Sequence, residues 1–149
     1  APPAIISIFL GDELTEIIEA IEQGTGYKGH DAENMQIGVK VLPHFPKDTT
    51  DRNRTSPFAF TGNKFEFRMP GSSLSVSGPN VALNTIVSES LRQMADELEG
   101  AEDFAAALKS IIKRTIATHK RIIFNGNNYA DEWVREAERR GLLNLPSTV

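Results

Sequence analysis

The hydrophobic and polar positions of the chain predict strands in its first half and helices in its second. Residues 4–10 are almost continuously apolar and rich in β-branched side chains, which is typical of a buried strand. Leucine and isoleucine then recur at helical spacing from Leu14 to Ile21, with glutamates on the opposite side. This predicts a short amphipathic helix that Asp12 caps and Gly24 ends.

Two further patterns predict the rest of a sheet. Residues 36–42 alternate well enough for a second strand, which the prolines that follow would close. Residues 58–60 and 64–68 flank the sequence Thr61-Gly62-Asn63, whose glycine can adopt a positive φ. We therefore expect residues 58–68 to form a β-hairpin.

Three helices are predicted in the second half. The first starts at Gly78-Pro79-Asn80 and ends at Gly100, the second runs from about residue 102 to 124, and the third spans residues 131–140 after an asparagine-rich turn. The residues expected to face inward are Leu83, Ile86, Val87, Leu91, Met94, Leu98, Phe104, Leu108, Ile111, Ile112, Ile116, Trp133, Val134 and Ala137. Because strands precede helices without alternating with them, the order favours an α+β fold with an antiparallel sheet.

Length and charge narrow the classes of function. A chain of 149 residues fits one domain. Its net charge of −4 argues against general nucleic-acid binding, which needs a basic surface. There are no cysteines for disulfides or thiolate metal sites, and the apolar run at residues 4–10 is far shorter than the roughly 20 residues of a membrane span. We therefore expect a soluble, intracellular protein with no membrane partner.

The second strand of the hairpin carries the clearest candidate chemistry. Side chains two apart share a face of a strand, so Lys64, Glu66 and Arg68 should point one way while Phe65 and Phe67 hold the strand on a core. From this pattern alone, a solvated charged face is the favoured interpretation. The alternative is a phosphate and metal site, in which a carboxylate holds Mg²⁺ and guanidinium groups neutralise a transferring phosphoryl group.

A family resemblance changes that balance. Residues 51–68, DRNRTSPFAFTGNKFEFR, resemble the signature of type III glutamine synthetases, the large bacterial form. The similarity continues in the blocks APPAIISIFLGDELTEI, NVALNTIVSESL, HKRIIFNGNNYADEW and EAERRGLLNLP. It implies that residues 1–149 are a single partial domain, the C-terminal part of a catalytic domain with an antiparallel sheet and packed helices.

The resemblance also implies an activity and its participants. Enzymes of this family are cytoplasmic ligases of nitrogen metabolism that make glutamine from glutamate and ammonia. They use ATP and Mg²⁺ or Mn²⁺, pass through γ-glutamyl phosphate, and form active sites between subunits of homo-oligomeric rings. Arg54 resembles the arginine that contacts the transferring phosphate, Glu66 a metal ligand, and Arg68 the arginine that meets glutamate or the phosphoryl group. Lys64 falls at a nucleotide-contacting position.

The same resemblance indicates that part of the active site lies outside this chain, and an alternative function remains open. Types I and II of the family commonly have a second arginine where this chain has Ala59, so another cation, Lys64 or Arg52, would have to help neutralise phosphate. The other metal ligands and the glutamate-binding loop lie upstream in the family, so we expect this chain alone to be inactive. The alternative is a non-catalytic assembly or interaction module derived from the enzyme.

Overall fold

The computed structural model describes residues 5–27 and 55–145 in full, and residues 34–35 and 45–46 by their backbone. Within those residues the fold is α+β, with short strands and four α-helices, as predicted. The elements are β1 (Ile8–Phe9), α1 (Asp12–Gln23), β2 (Asn34–Met35), β3 (Phe45–Pro46), β4 (Phe58–Phe60), β5 (Phe65–Phe67), α2 (Ser77–Glu99), α3 (Phe104–His119), a 3₁₀ turn (Lys120–Ile122) and α4 (Asp131–Arg139). The predicted strand at residues 36–42 lies outside the described residues.

The main sheet has three strands in the order β1-β4-β5. The predicted hairpin is confirmed, because β4 and β5 pair antiparallel and Gly62 has a φ of +93° in the turn between them. In contrast, β1 pairs with β4 in parallel, so the expectation of an antiparallel arrangement is wrong for this pair. Parallel neighbours require a long connection, and the segment between β1 and β4, which includes α1, is long enough to supply one.

The first strand lies between the hairpin and the last part of the chain. Besides pairing with β4, Ile8 forms a parallel bridge with Ile123, and its carbonyl accepts a hydrogen bond of 2.9 Å from the Phe124 N–H. Ile5 forms an antiparallel bridge with Asn144. The two ends of the described chain are therefore held together through this strand.

Helix α1 begins and ends at glycines. Gly11 precedes it with a φ of +81°, and the helix starts at Asp12, whose side chain makes no capping hydrogen bond. The prediction that Asp12 caps the helix is therefore wrong, although its carboxylate in the first turn still favours the positive end of the helix dipole. Gly24 ends the helix in the left-handed region, with a φ of +72°, as predicted.

The buried core is built around Trp133. Its ring stacks on Phe124 with centroids 3.8 Å apart, and Ile5, Ala137 and Leu142 complete the cluster. The inward positions predicted for Trp133 and Ala137 are confirmed, while Val134 is exposed. The core thus joins Ile5, just before β1, to Phe124 after the 3₁₀ turn and to α4.

Helices α2 and α3 pack together mainly near the loop that connects them. Met94 and Leu98, in the last turns of α2, are half-buried, and Glu97 forms an ion pair of 2.6 Å with Arg114 of α3. The inward positions predicted for Ile111 and Ile116 hold, since the first is buried and the second half-buried. Six residues that were expected to face inward along these helices are exposed instead: Ile86, Val87, Leu91, Phe104, Leu108 and Ile112.

Arg140 connects α4 to the segment after α3. Its guanidinium Nη1 donates to the carbonyls of Arg121 and Ile123 at 3.2 and 2.9 Å, and its Nε donates to Glu136 at 2.5 Å. The guanidinium also lies 5.3 Å from the centroid of the Trp133 ring, within the range of a cation–π interaction. One side chain therefore links the core tryptophan, α4 and two backbone carbonyls.

The ion pairs of Glu136 predict an acid-dependent loss of stability. Hydrogen bonds from Arg139 and then Arg140 lower the pKa of Glu136 from 4.5 to about 2. A lowered folded-state pKa stabilises the fold above the unfolded value and loses that effect as pH falls towards 2. We expect Glu136→Gln to lower the free energy of unfolding at neutral pH and to flatten its decline between about pH 4.5 and 2. Urea denaturation at several pH values measures this.

The matched control is Glu132→Gln in the same helix. Glu132 is 80% exposed and its nearest guanidinium nitrogen, on Arg135, lies 3.7 Å away. Its substitution should therefore leave both the free energy of unfolding and its pH profile close to those of the unmodified chain. If Glu136→Gln left the pH dependence of the free energy of unfolding unchanged, the stabilising role inferred for the ion pairs of Glu136 would be contradicted.

Candidate functional site

The register of the hairpin sets the faces of the candidate site. Phe58 lies opposite Phe67, Ala59 opposite Glu66, and Phe60 opposite Phe65. Both phenylalanine pairs are in contact, with ring centroids 4.9 and 5.2 Å apart. The predicted alternation is therefore present, with aromatic rings on one face of the hairpin and Glu66 beside Ala59 on the other.

The burial of these two faces differs from the prediction. Phe65 is 52% exposed, so the expectation that both phenylalanines face a core is wrong for this residue, whose ring packs across the hairpin on Phe60. Ala59, on the face of Glu66, is fully buried. The face with the carboxylate is therefore covered at its centre, and a purely solvated charged strand does not describe it.

Glu66 and Arg68 form an ion pair along one strand. The Nε and Nη2 of Arg68 donate to the same carboxylate oxygen, Oε2 of Glu66, at 3.2 and 3.1 Å. The side chain of Arg68 is 11% exposed and that of Glu66 is 40% exposed. The Arg68 N–H donates to the Pro57 carbonyl at 2.8 Å, which continues the strand pairing one step beyond β5. Arg68 is thus held both by its backbone N–H and by its guanidinium group.

This geometry leaves part of the carboxylate accessible. Among the described residues, no hydrogen bond is recorded to Oε1 of Glu66, while Oε2 accepts two from Arg68. A partly exposed carboxylate oxygen is a suitable ligand for a hard cation such as Mg²⁺ or Mn²⁺. The residues present therefore fit one ligand of a metal site, with a positive guanidinium beside it to meet an anion.

The other predicted site residues are placed differently. Lys64 is exposed at the end of the turn, where its carbonyl accepts hydrogen bonds from the backbone and side chain of Thr61. Arg52 and Arg54 lie outside the described residues, so the role of Arg54 stays a prediction. In the part of the chain that is described, no three acidic, histidine or cysteine side chains are grouped as a metal site would require.

Two asparagines that were predicted only as a turn fix the start of the fold. Oδ1 of Asn125 accepts from the Leu10 and Gly11 N–H groups, both at 3.1 Å, and its Nδ2 donates to Thr15. The side chain of Asn128 is fully buried and donates to Ser7 at 2.6 Å. The sequence Asn125-Gly126-Asn127-Asn128 signals a turn, but side-chain bonds to residues more than 100 positions away leave no local signal.

The chain is similar to known proteins over almost its whole length. It is 51% identical to the type-3 glutamine synthetase of Dictyostelium discoideum, over 99% of this chain and 20% of that protein. It is 45% identical to the glutamine synthetase of Butyrivibrio fibrisolvens, over 97% of this chain and 21% of the relative. A family model described as the glutamine synthetase C-terminal domain matches residues 107–149. The chain belongs to the glutamine synthetase family.

A third member of the glutamine synthetase family extends the comparison. The enzyme of Bacteroides fragilis strain YCH46 is 42% identical over 97% of this chain and 21% of its own length. The chain therefore spans about a fifth of the length of the curated relatives that it matches. The resemblance inferred from the sequence is confirmed, and the model match includes most of α3 and all of α4, while the hairpin lies in the part covered by the relatives.

No helix within residues 5–27 and 55–145 is both long enough and apolar enough to cross a bilayer.

Proposed function

We propose that this chain forms part of the active site of a full-length glutamine synthetase, which joins ammonia to glutamate at the expense of ATP in the cytoplasm. In this proposal residues 1–149 are the C-terminal part of the catalytic domain, and the reaction passes through γ-glutamyl phosphate. The observation that supports it most directly is the ion pair of Glu66 and Arg68, held on a partly covered face of the hairpin.

Arg68 binds and orients an anion. The two hydrogen bonds from its Nε and Nη2 to Glu66 hold the plane of the guanidinium, and its low exposure restricts other rotamers. A guanidinium fixed in this way is preorganised for the carboxylate of glutamate or for the oxygens of a phosphoryl group. Its positive charge would stabilise the negative charge that develops during phosphoryl transfer.

Glu66 contributes one oxygen ligand to a divalent cation. Its Oε1 would take this role, while Oε2 stays paired with Arg68. When bound, Mg²⁺ or Mn²⁺ would neutralise phosphate charge. Lys64, exposed at the edge of the hairpin, would reach the nucleotide, and Arg54 would contact the transferred phosphate. Since Glu66 is a single carboxylate, we propose that the remaining ligands belong to other parts of the full-length enzyme.

Substitution of Glu66 tests this role through metal binding. In the full-length protein, Glu66→Gln removes the charge but keeps the size, so Mn²⁺ affinity should fall by about 10–100-fold and more Mg²⁺ should be needed for glutamine synthesis. Mn²⁺ binding is measured by calorimetry and turnover is measured in parallel across Mg²⁺ concentrations. The matched control is Glu99→Gln, an exposed glutamate at the end of α2. Equal Mn²⁺ affinity in Glu66→Gln and the unmodified enzyme would contradict the proposal.

The exposed apolar side chains of α2 and α3 favour a second function, that of an assembly or interaction module. In that case the charged hairpin would take no part in chemistry, and its substitutions would leave turnover unchanged. Normal turnover together with normal metal affinity in Glu66→Gln would therefore favour the module over the enzyme.

A further inference from the structure

The strongest unassigned feature is the dipeptide Asn125-Gly126 in the turn that precedes α4. Among the asparagines of the chain, Asn125 is the one that a glycine follows. Asparagine is one of the chemically labile residues of proteins, because the backbone nitrogen of the next residue can attack its side-chain amide. A glycine hinders this attack least, since it has no side chain. The sequence therefore marks Asn125 as the asparagine most open to deamidation.

Packing requires a glycine at position 126. A Cβ atom on Gly126 would lie 2.5 Å from the ring of Phe124. That ring is not free to move away, because it stacks on Trp133 with centroids 3.8 Å apart. The fold therefore leaves no room for the larger side chain that would slow the attack on Asn125.

Hydrogen bonding requires an amide at position 125. Oδ1 of Asn125 accepts from the N–H groups of Leu10 and Gly11, and Nδ2 donates to the hydroxyl of Thr15 at 2.9 Å. That hydroxyl donates in turn to the Gly11 carbonyl at 2.7 Å. A carboxylate could accept from the two N–H groups, but it has no N–H to donate to Thr15. Both residues of the labile dipeptide are therefore needed by the fold.

We propose that Asn125 is a deamidation site, and that its hydrogen bonds restrain the reaction until the contact between β1 and residues 123–125 opens locally. The deprotonated backbone nitrogen of Gly126 forms a bond to Cγ of Asn125. The bond from Cγ to Nδ2 breaks, and ammonia leaves with the proton that the backbone nitrogen lost. Water then opens the succinimide ring at one of its two carbonyls, which gives aspartate or isoaspartate. Water is the only reactant consumed.

The contacts of the amide resist this reaction. Nδ2 is the leaving nitrogen, and its hydrogen bond to Thr15 is lost as ammonia departs. Ring closure also moves Cγ of Asn125 towards its own backbone, while Oδ1 is held by Leu10 and Gly11. These two N–H groups polarise the amide carbonyl, which by itself would assist the attack as an oxyanion hole does. We expect the restraint to dominate, because the ring cannot close unless the side chain moves and three hydrogen bonds oppose that movement.

Both products weaken the contact between the two ends of the described chain. Aspartate loses the donor to Thr15. Isoaspartate adds a methylene group to the backbone before Gly126, which shifts this residue against the ring of Phe124 and so disturbs the core around Trp133. Each product should therefore lower the melting temperature. This inference does not depend on the chemistry proposed for the hairpin.

Incubation of the full-length enzyme at mildly alkaline pH, folded or in urea, tests the proposal. Mass spectrometry of the tryptic peptide 122–135 follows Asn125 together with Asn127 and Asn128. We expect Asn125 to deamidate in urea and at least about tenfold more slowly in the folded enzyme, since only locally opened molecules react. Asn127 and Asn128 are internal controls that should react much more slowly than Asn125 in urea, because larger residues follow them.

Thr15→Val shows whether the local hydrogen bonds, and not cover by other parts of the enzyme, provide the restraint. It removes the acceptor of Nδ2 at nearly constant size, so deamidation of the folded enzyme should become about 2–10-fold faster, as expected for the loss of one hydrogen bond. Thr118→Val is the matched control. The Thr118 hydroxyl donates to the carbonyl four residues earlier, as that of Thr15 does, but it is exposed on α3. Its rate should equal that of the unmodified enzyme.

Melting temperatures verify that both variants are folded during the incubation. Absence of deamidation at Asn125 in urea would overturn the proposal. A folded enzyme that deamidates as fast as the unfolded one, or faster, would overturn it as well. So would a folded Thr15→Val variant whose rate at Asn125 equals that of Thr118→Val.

Discussion

Arg68→Ala in the full-length protein is expected to lower kcat for glutamine synthesis by about 10²–10³-fold or more, the range seen when a fixed group that stabilises transition-state charge is removed. The side chain is 11% exposed and makes two hydrogen bonds to Glu66, so no solvent cation can adopt its position and orientation. Arg68→Lys keeps the charge but loses the planar fork, and we expect it to recover only part of the rate. Steady-state kinetics with glutamate, ammonia and ATP measure both variants.

The matched control for this loss is Arg135→Ala in α4. Arg135 is 73% exposed and approaches Glu132 no closer than 3.7 Å, so its removal should leave kcat unchanged. Melting temperatures separate a loss of folding from a loss of chemistry. The isolated 149-residue chain is the second control, and we expect it to form no glutamine. Mg²⁺-dependent synthesis by that chain, or normal kcat in Arg68→Ala, would contradict the proposed role.

Trp133→Ala is expected to lower the free energy of unfolding by about 3–5 kcal/mol, which is the usual cost of removing a buried tryptophan or phenylalanine. The ring is 1% exposed, stacks on Phe124 at 3.8 Å and lies under the guanidinium of Arg140 at 5.3 Å. Its removal leaves a cavity in the cluster that joins Ile5 and Phe124 to α4. Since domains are stable by only about 5–15 kcal/mol, the variant should unfold at a much lower urea concentration.

Two further substitutions serve as comparisons for the loss of stability in Trp133→Ala. Val134→Ala changes the neighbouring residue, which is 40% exposed, and should shift the free energy of unfolding much less than Trp133→Ala. Trp133→Phe keeps an aromatic ring and should fall between the two. A loss below about 1 kcal/mol for Trp133→Ala would show that the cluster around Phe124 can rearrange to fill the space.

Features that depend on residues close together in the sequence could be predicted well. The spacing of isoleucines and glutamates predicted α1, and Gly24 adopts the left-handed conformation that ends it. The alternation of phenylalanines with charged residues predicted the hairpin and placed Glu66 and Arg68 on one face. These predictions succeed because helix period, strand period and turn chemistry are properties of neighbouring residues.

Features that depend on distant partners could not be predicted in the same way. An apolar strand such as residues 4–10 shows that it is buried, but not which strand it pairs with or in which direction. Asn125 and Asn128 form side-chain bonds across more than 100 residues, and their sequence context indicates only a turn. The spacing of Val87 and Leu91 gives them a common stripe without specifying what covers it.

In the candidate site, too, some features could be predicted from local sequence and others could not. Strand period alone could not decide whether the charged row was solvated or functional. It also could not show that the Arg68 side chain is only 11% exposed while that of Glu66, its ion-pair partner, is 40% exposed. The burial of Phe65 was predicted wrongly. The alternating pattern places its ring on one face of the strand, but it does not show whether a core covers that face. The roles predicted for Arg54 and Lys64 come from the resemblance to glutamine synthetases alone, because no local physical rule provides them.

The parallel pairing of β1 has a consequence for the order in which the chain can fold. Ile8 is bonded to partners about 50 and 115 residues away, at Phe58 and Ile123, while the helices and the hairpin are closed by nearby residues. Pairings of such long range slow folding because the entropy of loop closure must be overcome before any contact forms. During synthesis, Ile8 therefore lacks its last partner until Ile123 has left the ribosome, and Ile5 lacks its own until Asn144 has followed. We expect early aggregation to begin at this apolar segment.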